Sequence, residues 1–398
     1  MSRCGSWSAR ASKPHRRDID GLTVRFGFAR LDLRLVLGHM CGGCLPGLVL
    51  HGGVPLDPIE AGSDNLPYRL WRLATDGTER ASHARRAMVT SVPDTGLDVV
   101  TGAFSYTGSA IARRLLDDGR RVRTLTGHPD RPSPIAGRVE VAPYAFDDLD
   151  ALTGSLEGAS TIYNTYWVRF DRGDVSFERA IENSKTLFRA AREAGVGRAV
   201  HLSVTKPSKD SHFPYFRGKA LVEQALAESG LPHAVVRPTI VFGRGDILMN
   251  NVAWLLRRLP VFAIPGDGRY RVRPVYAGDV AKVCVEVAQA RENLTIDAVG
   301  PETMTFEEMV RKIRAAVGSR SRIVHVPVSV ARLAAGAIGV AVRDVLITDH
   351  ELGGLMSELA TTDGPTTGRT RFSDWIADVG RSLGGRYASE VVRHFAST

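Results

Sequence analysis

The chain has 398 residues, 43% of them hydrophobic and 24% charged, enough to bury one large core and a smaller one, which excludes a disordered polymer. Its formal charge of +9 comes from 45 Arg and only 7 Lys, with no aromatic-interleaved basic stripe and no zinc-finger spacing. A nucleic-acid partner is therefore not expected, and an anionic cofactor is the simpler complement to the charge.

Residues 1–87 carry no sustained helical or strand period and are broken by Leu45-Pro46-Gly47 and His51-Gly52-Gly53, so 1–93 reads as a poorly ordered extension. Met88 stands just before the first regular pattern and is the expected start of translation. Three of the four cysteines, Cys4, Cys41 and Cys44, fall in this stretch, which argues against a disulfide framework. Cys41-Gly42-Gly43-Cys44 with His39 and His51 is one pair without a second, so no metal site is expected. Arg3, Arg10, Lys13, Arg16 and Arg17 precede no continuous apolar segment, and Leu333 to Val342 is far short of a bilayer span. A cytoplasmic protein with no membrane span is expected.

From Leu97 short apolar runs alternate with amphipathic stretches, the pattern of βαβ units around a parallel sheet. Strands are expected at Leu97 to Thr101, Arg121 to Leu125, Val139 to Ala142, Thr161 to Asn164, Ala199 to Ser203 and Ala234 to Arg237. Helices are expected at Thr107 to Asp118, Phe177 to Ala194 and Phe216 to Ser229. A further helix runs from Thr305 to Val317, where Thr305 and Glu308 have capping-box spacing.

Between the first strand and the first helix lies Thr101-Gly102-Ala103-Phe104-Ser105-Tyr106-Thr107-Gly108. A helix N-terminus there would offer unpaired N–H groups and partial positive charge to a pyrophosphate, and Gly102 and Gly108 would let the backbone approach. Ser105, Tyr106 and Thr107 complete the candidate turn. The fold class is α/β: a doubly wound parallel Rossmann sheet over 94–300, with 244–272 contributing to a substrate region. Residues 301–398 form a smaller mixed α/β substrate domain at the C-terminus.

This segment, Leu97 to about Gly318, resembles the extended or atypical short-chain dehydrogenase/reductases. That group includes NAD(P)-dependent epimerases and dehydratases and the NAD(P)H-binding relatives of a complex I accessory subunit. Its TGxxGxxG pattern is matched at Gly102 and Gly108, with Ser105 in place of the middle glycine.

The end of the second strand, Thr124-Leu125-Thr126-Gly127-His128, has no acid to hold the ribose hydroxyls of NAD, so NADP is favoured over NAD. Arg123, His128 and Arg131 are the basic candidates for its extra phosphate. The resemblance further implies that Phe146 packs along adenine, and that Pro238 and Ile240 belong to the loop meeting the nicotinamide. Asn164, Thr165, Tyr166 and Trp167 follow the fourth strand at the carboxyl edge, the first two as cofactor contacts and the aromatics as substrate contacts. Asn250 and Asn251 fall where substrate contacts begin in relatives. Asp148 reads equally as a helix cap, and Arg237 and Asp279 read as structural charges.

Tyr215 and Lys219 stand four residues apart, on one face if helical. A phenol with a pKa near 10 becomes a useful base at neutral pH only when nearby positive charge stabilises its anion. The resemblance implies that Tyr215 transfers the proton, that Lys219 also binds the nicotinamide ribose, and that Thr205, or Ser203 in its place, holds the substrate oxygen. The leading reading is an NAD(P)-dependent oxidoreductase acting on a small-molecule carbonyl or alcohol. The alternatives are a nucleotide-sugar epimerase or dehydratase, and a non-catalytic NAD(P)H-binding sensor or complex subunit. Substrate identity and oligomeric state are not legible.

Overall fold

The structure is a computed structural model that describes residues 96–395. The Cys41 and Cys44 pair and the Met88 start lie outside the described residues.

In chain order come β1 (Leu97–Thr101), α1 (Tyr106–Asp117), β2 (Arg121–Leu125), β3 (Glu140–Ala142), α2 (Leu149–Gly154), β4 (Ala159–Asn164), α3 (Phe177–Glu193), β5 (Arg198–Leu202), α4 (Pro214–Glu228) and β6 (His233–Pro238). There follow β7 (Val241–Phe242), α5 (Ile247–Arg258), β8 (Val261–Pro265), β9 (Arg271–Val272), β10 (Val275–Tyr276), α6 (Ala277–Val287) and β11 (Leu294–Ala298). The remainder is β12 (Met304–Thr305), α7 (Phe306–Ala316), β13 (Arg322–Val326), α8 (Val328–Val342), α9 (Asp349–Met356), α10 (Phe372–Val379) and α11 (Glu390–Phe395).

Seven of the strands form one parallel sheet in the order β11-β6-β5-β4-β1-β2-β3. The chain builds outward from β1 to β3, then crosses back to β4 and builds the other way. The crevice beyond the carboxyl ends of β1 and β4 is thus the switch point where open α/β sheets take ligands. All five residues of β1 are buried, as a strand covered on both faces requires. Because successive side chains point to opposite faces, Val99 joins the core with Leu187 and Leu226, while Val100 joins the one with Ile111 and Cys284. Asp98, the one charge in β1, is paired with Arg120 at 2.8 Å, which offsets its burial.

A second core gathers Phe242, Met249, Ile264, Met309, Phe372 and Trp375 from the excursion after β6 and from the C-terminal third. The parallel pair β8 and β13 belongs to this region. The capping box at its α7 is complete: the Glu308 amide donates to Thr305 Oγ1 at 3.1 Å, and the Thr305 amide donates to Glu308 Oε2 at 2.8 Å. Thr305→Ala is expected to lower stability by about 1 kcal/mol, read as a shift of the urea midpoint at unchanged slope.

α4 starts two residues earlier than its hydrophobic pattern suggests, because Pro214 occupies the first turn, where a missing N–H costs nothing. Tyr215 therefore lies inside the helix with Lys219 one turn later. Among the described residues, no helix is long and apolar enough to cross a membrane.

Candidate functional site

The turn from β1 into α1 is built on two glycines. Gly102 has φ +66°, a left-handed conformation that other residues adopt at a penalty, and its carbonyl accepts from the Ser105 amide at 2.7 Å. Gly108 packs against that same carbonyl so closely that an added Cβ would lie 2.2 Å from it. Ser105 occupies the N-cap of α1 with extended backbone, but its side chain makes no capping bond. The amides of Tyr106, Thr107 and Gly108 consequently have no partner within the helix. The Ala103 amide, by contrast, donates to Thr124 Oγ1 at 2.9 Å and ties the turn to β2.

Asn164 and Thr165 stand beside this turn with their polar atoms committed inside the protein. Asn164 Nδ2 donates to His201 Nδ1 at 3.2 Å, its Oδ1 accepts from the Tyr166 amide at 3.0 Å, and the Thr165 hydroxyl donates to the Thr101 carbonyl at 2.6 Å. They lock the ends of β1, β4 and β5 together, so they position the crevice and do not offer it free donors. Burial holds the His201 imidazole well below its usual pKa, so it stays neutral, with its proton on Nε2. Phe146 stacks on Tyr144 at 4.9 Å and tilts against Tyr166 at 5.0 Å, forming an aromatic wall at the carboxyl ends of β3 and β4. Tyr144 was not among the residues expected here. Tyr166 also accepts a hydrogen bond from Asn183 Nδ2 at 2.8 Å.

Lys219 is fully buried, donates from Nζ to the Leu202 carbonyl at 2.8 Å, and sits 4.6 Å from the Trp167 ring centroid. Burial pushes its ammonium down to about 7, against the opposing pull of Glu223. Tyr215 packs edge-on to Trp167 at 6.0 Å and to Phe177 at 6.2 Å. Burial first, and then the Glu351 carboxylate, push its phenol up to about 12, with Arg169 pulling the other way. The two side chains share a helix face and the Trp167 ring. Arg169 is itself held by Glu351 at 2.5 Å and by Glu390 at 2.9 Å.

The Thr205 hydroxyl donates to the Leu359 carbonyl at 2.8 Å, which removes it from the position expected to face a substrate. Ser203 Oγ and Trp167 Nε1 are both buried without a hydrogen-bond partner. Such groups cost free energy unless something else satisfies them. Pro238 ends β6 with its carbonyl accepting from the Thr205 amide at 3.2 Å, and the Ile240 carbonyl accepts from the Val275 amide at 2.9 Å.

Asn250 and Asn251 are engaged by the C-terminal stretch. Asn251 exchanges two hydrogen bonds with the backbone of Ala388 at 2.9 and 3.0 Å, and Asn250 donates to the Arg386 carbonyl at 2.9 Å. That stretch continues into α11, where Arg393 donates to the Gly245 carbonyl at 3.0 Å and its own carbonyl accepts from Arg131. Gly245 adjoins Tyr106 at the start of α1, so the C-terminal residues close one side of the crevice.

Arg123 is turned away from the turn. It pairs with Glu140 at 3.0 Å and donates to the Ser155 carbonyl at 3.0 Å, toward the amino end of β4. Its position in mid-strand decides this, since a side chain there points across the sheet and cannot reach the carboxyl edge. Beyond the strand, the His128 amide donates to Thr126 Oγ1 at 3.0 Å, and the Arg131 guanidinium is taken by the Arg393 carbonyl. Asp148 caps α2 by accepting from the Ala151 amide at 3.0 Å. Arg237 pairs with Glu223, and Asp279 accepts from the amides of Arg369 and Thr370 at 2.9 and 2.8 Å, both structural roles.

These features fit a dinucleotide: uncapped helix amides at a glycine-bounded turn, an aromatic wall at one end of the crevice, and a buried lysine beside orphaned polar atoms at the other. A search of solved structures agrees with the fold. Triphenylmethane reductase from Citrobacter sp. superposes with a TM-score of 0.58 at 17% identity, covering 72% of this chain and 99% of that one. In sequence, the Arabidopsis thaliana mitochondrial NADH dehydrogenase [ubiquinone] 1 alpha subcomplex subunit 9 is 26% identical over 286 residues, 68% of this chain and 70% of that protein. An uncharacterized Mycobacterium tuberculosis protein is 27% identical over 222 residues, 55% of this chain but only 23% of that protein's length. The family model described as NmrA-like matches residues 96–359, which takes in the sheet, the turn and the Tyr215 helix, and the chain belongs to the NmrA-like family.

Proposed function

We propose that this chain is an NAD(P)-dependent oxidoreductase acting on a carbonyl or alcohol group of a small molecule. The observation that carries the reading is the pairing of an uncapped, glycine-bounded helix start with Tyr215 and Lys219 on one helix at the same carboxyl edge. The amides of Tyr106, Thr107 and Gly108 would hold the pyrophosphate, and the Tyr144, Phe146 and Tyr166 wall would take the adenine end. The end of β2 carries no acid to hold the ribose hydroxyls of NAD, which favours NADP over NAD. When bound, the nicotinamide supplies the hydride.

Burial holds the Tyr215 phenol up at about 12, so it rests protonated at pH 7 and can give its proton to a developing alkoxide, and the same group takes that proton back in the reverse oxidation of an alcohol. Lys219 would exchange its bond to the Leu202 carbonyl for the nicotinamide ribose, and the unpartnered Ser203 hydroxyl would orient the substrate oxygen in place of Thr205.

One observation favours a second reading, binding of NAD(P)H without turnover, as in a sensor or complex subunit. Lys219 is occupied by the Leu202 carbonyl and the Trp167 face. The two readings separate in one experiment. NADPH and NADH are titrated by fluorescence, and NADPH oxidation is then followed against a panel of aldehydes, ketones and quinones. The oxidoreductase reading expects saturable NADPH binding, turnover of at least one carbonyl, and a fall of about 100-fold in kcat for Tyr215→Phe with cofactor affinity unchanged. Tight NADPH binding with no turnover across the panel supports the binding-only reading. Absence of any saturable nucleotide binding removes both.

A further inference from the structure

The sequence of α8, Val-Ser-Val-Ala-Arg-Leu-Ala-Ala-Gly-Ala-Ile-Gly-Val-Ala-Val, contains one charge in fifteen residues, yet the helix lies on the surface with only Gly339 fully buried. Its Ile338 leans on the second core. Val330, Leu333 and Val340 are 48%, 76% and 81% exposed. With Ala337, also exposed, they stand at spacings of three and four residues, which puts them in one stripe along the outer face. The other exposed large hydrophobic residues among those described, Val141, Leu248, Val261 and Val392, are scattered over separate elements. A contiguous exposed apolar stripe of this kind marks a contact surface.

Charge identifies the partner. Beside the stripe, a cavity of about 410 Å³ opens between α8 and the start of α9, walled by Gly339, Leu346 and Leu352 and lined by Arg172, Arg332 and Arg343. Arg332 pairs with the exposed Asp349 at 2.9 Å, and the other carboxylate at the cavity, Asp344, is committed to the Tyr387 hydroxyl and the amides of Glu390 and Val391. The exposed Arg332 and Arg343 guanidinium groups at a small cavity, next to an apolar ridge, suit an amphiphile with an anionic head. At fifteen residues the helix is about 22 Å long, too short to span a bilayer and suited to lying along its surface.

We propose that α8 docks this protein on an anionic lipid bilayer, with Val330, Leu333, Ala337 and Val340 in the interfacial layer and a lipid phosphate held by Arg332 and Arg343. The test is flotation of the full chain with vesicles of phosphatidylcholine alone or doped with phosphatidylglycerol, at low and high salt. Flotation with the doped vesicles is expected, weakened by salt. Leu333→Glu with Val340→Glu is expected to lower partitioning by about tenfold or more, since apolar insertion and electrostatics both contribute. Arg332→Ala with Arg343→Ala should abolish the preference for phosphatidylglycerol. These side chains face solvent, so the melting temperature should not change, and that measurement separates lost docking from lost folding. The proposal fails if the chain floats with neither vesicle, or if the double glutamate variant floats like the parent. It fails equally if light scattering shows a dimer that the glutamates dissociate while vesicles have no effect, which would make a second copy the occupant.

Discussion

Gly108→Ala is expected to abolish dinucleotide binding and to destabilise the fold by about 3 kcal/mol, the upper part of the range for forcing an extra methyl into packed structure. The added Cβ would fall 2.2 Å from the Gly102 carbonyl, inside any tolerable contact, and the obstacle is backbone held by its own hydrogen bond from the Ser105 amide. The helix start must therefore retreat from β1, and the amides of Tyr106 and Thr107 move with it. Calorimetric titration with NADPH and a urea unfolding curve measure the two effects separately. If the variant binds NADPH like the parent, the turn is not the phosphate site.

Lys219→Met is expected to do the opposite to stability while removing activity. The ammonium is 3% exposed, and its fall from the ordinary 10.5 to about 7 corresponds to on the order of 5 kcal/mol of burial penalty when it is charged. The hydrogen bond to Leu202 and the Trp167 face return part of that, about 1 to 2 kcal/mol each. A methionine of similar length removes the charge and leaves the carbonyl unpartnered, so the net gain at pH 6 is about 2 kcal/mol. The pH dependence has a definite sign. Between about 7 and 10.5 the unfolded chain binds the proton that the folded chain has released, so this group's contribution improves as pH rises and the penalty is complete below 7. The stabilisation of the variant over the parent should therefore be largest near pH 6, shrink as pH rises and turn into a net loss by pH 10, where the neutral amine keeps its bond to Leu202 without the charge penalty. Paired denaturation curves across that range check it. A variant less stable than the parent at pH 6 would show that the carbonyl bond and the ring outweigh burial.

Much of the sheet was legible because its signals are local. Apolar runs such as Leu97-Asp98-Val99-Val100-Thr101 are buried on both faces whatever surrounds them, and the six expected strands all appear within two residues of their expected ends. The Thr305 and Glu308 capping box is equally local and forms as spaced. The candidate site was only partly legible. Tyr215 and Lys219 share a face because helical geometry demands it, but their surroundings depend on Trp167, a residue distant in sequence that packs against both.

The sequence by itself determined the doubly wound sheet, the glycine-bounded turn and the helix carrying Tyr215 and Lys219, since each depends on backbone periodicity and steric limits within a few residues. Only the tertiary structure decided which polar groups remain free to meet a ligand. Leu359, from 154 positions away, takes the Thr205 hydroxyl, while Ala388 takes the Asn251 amide, and Asn164 is committed to His201. Burial then sets the protonation of Tyr215 and Lys219, because desolvation is a property of everything packed around a group and not of the residues beside it in the chain.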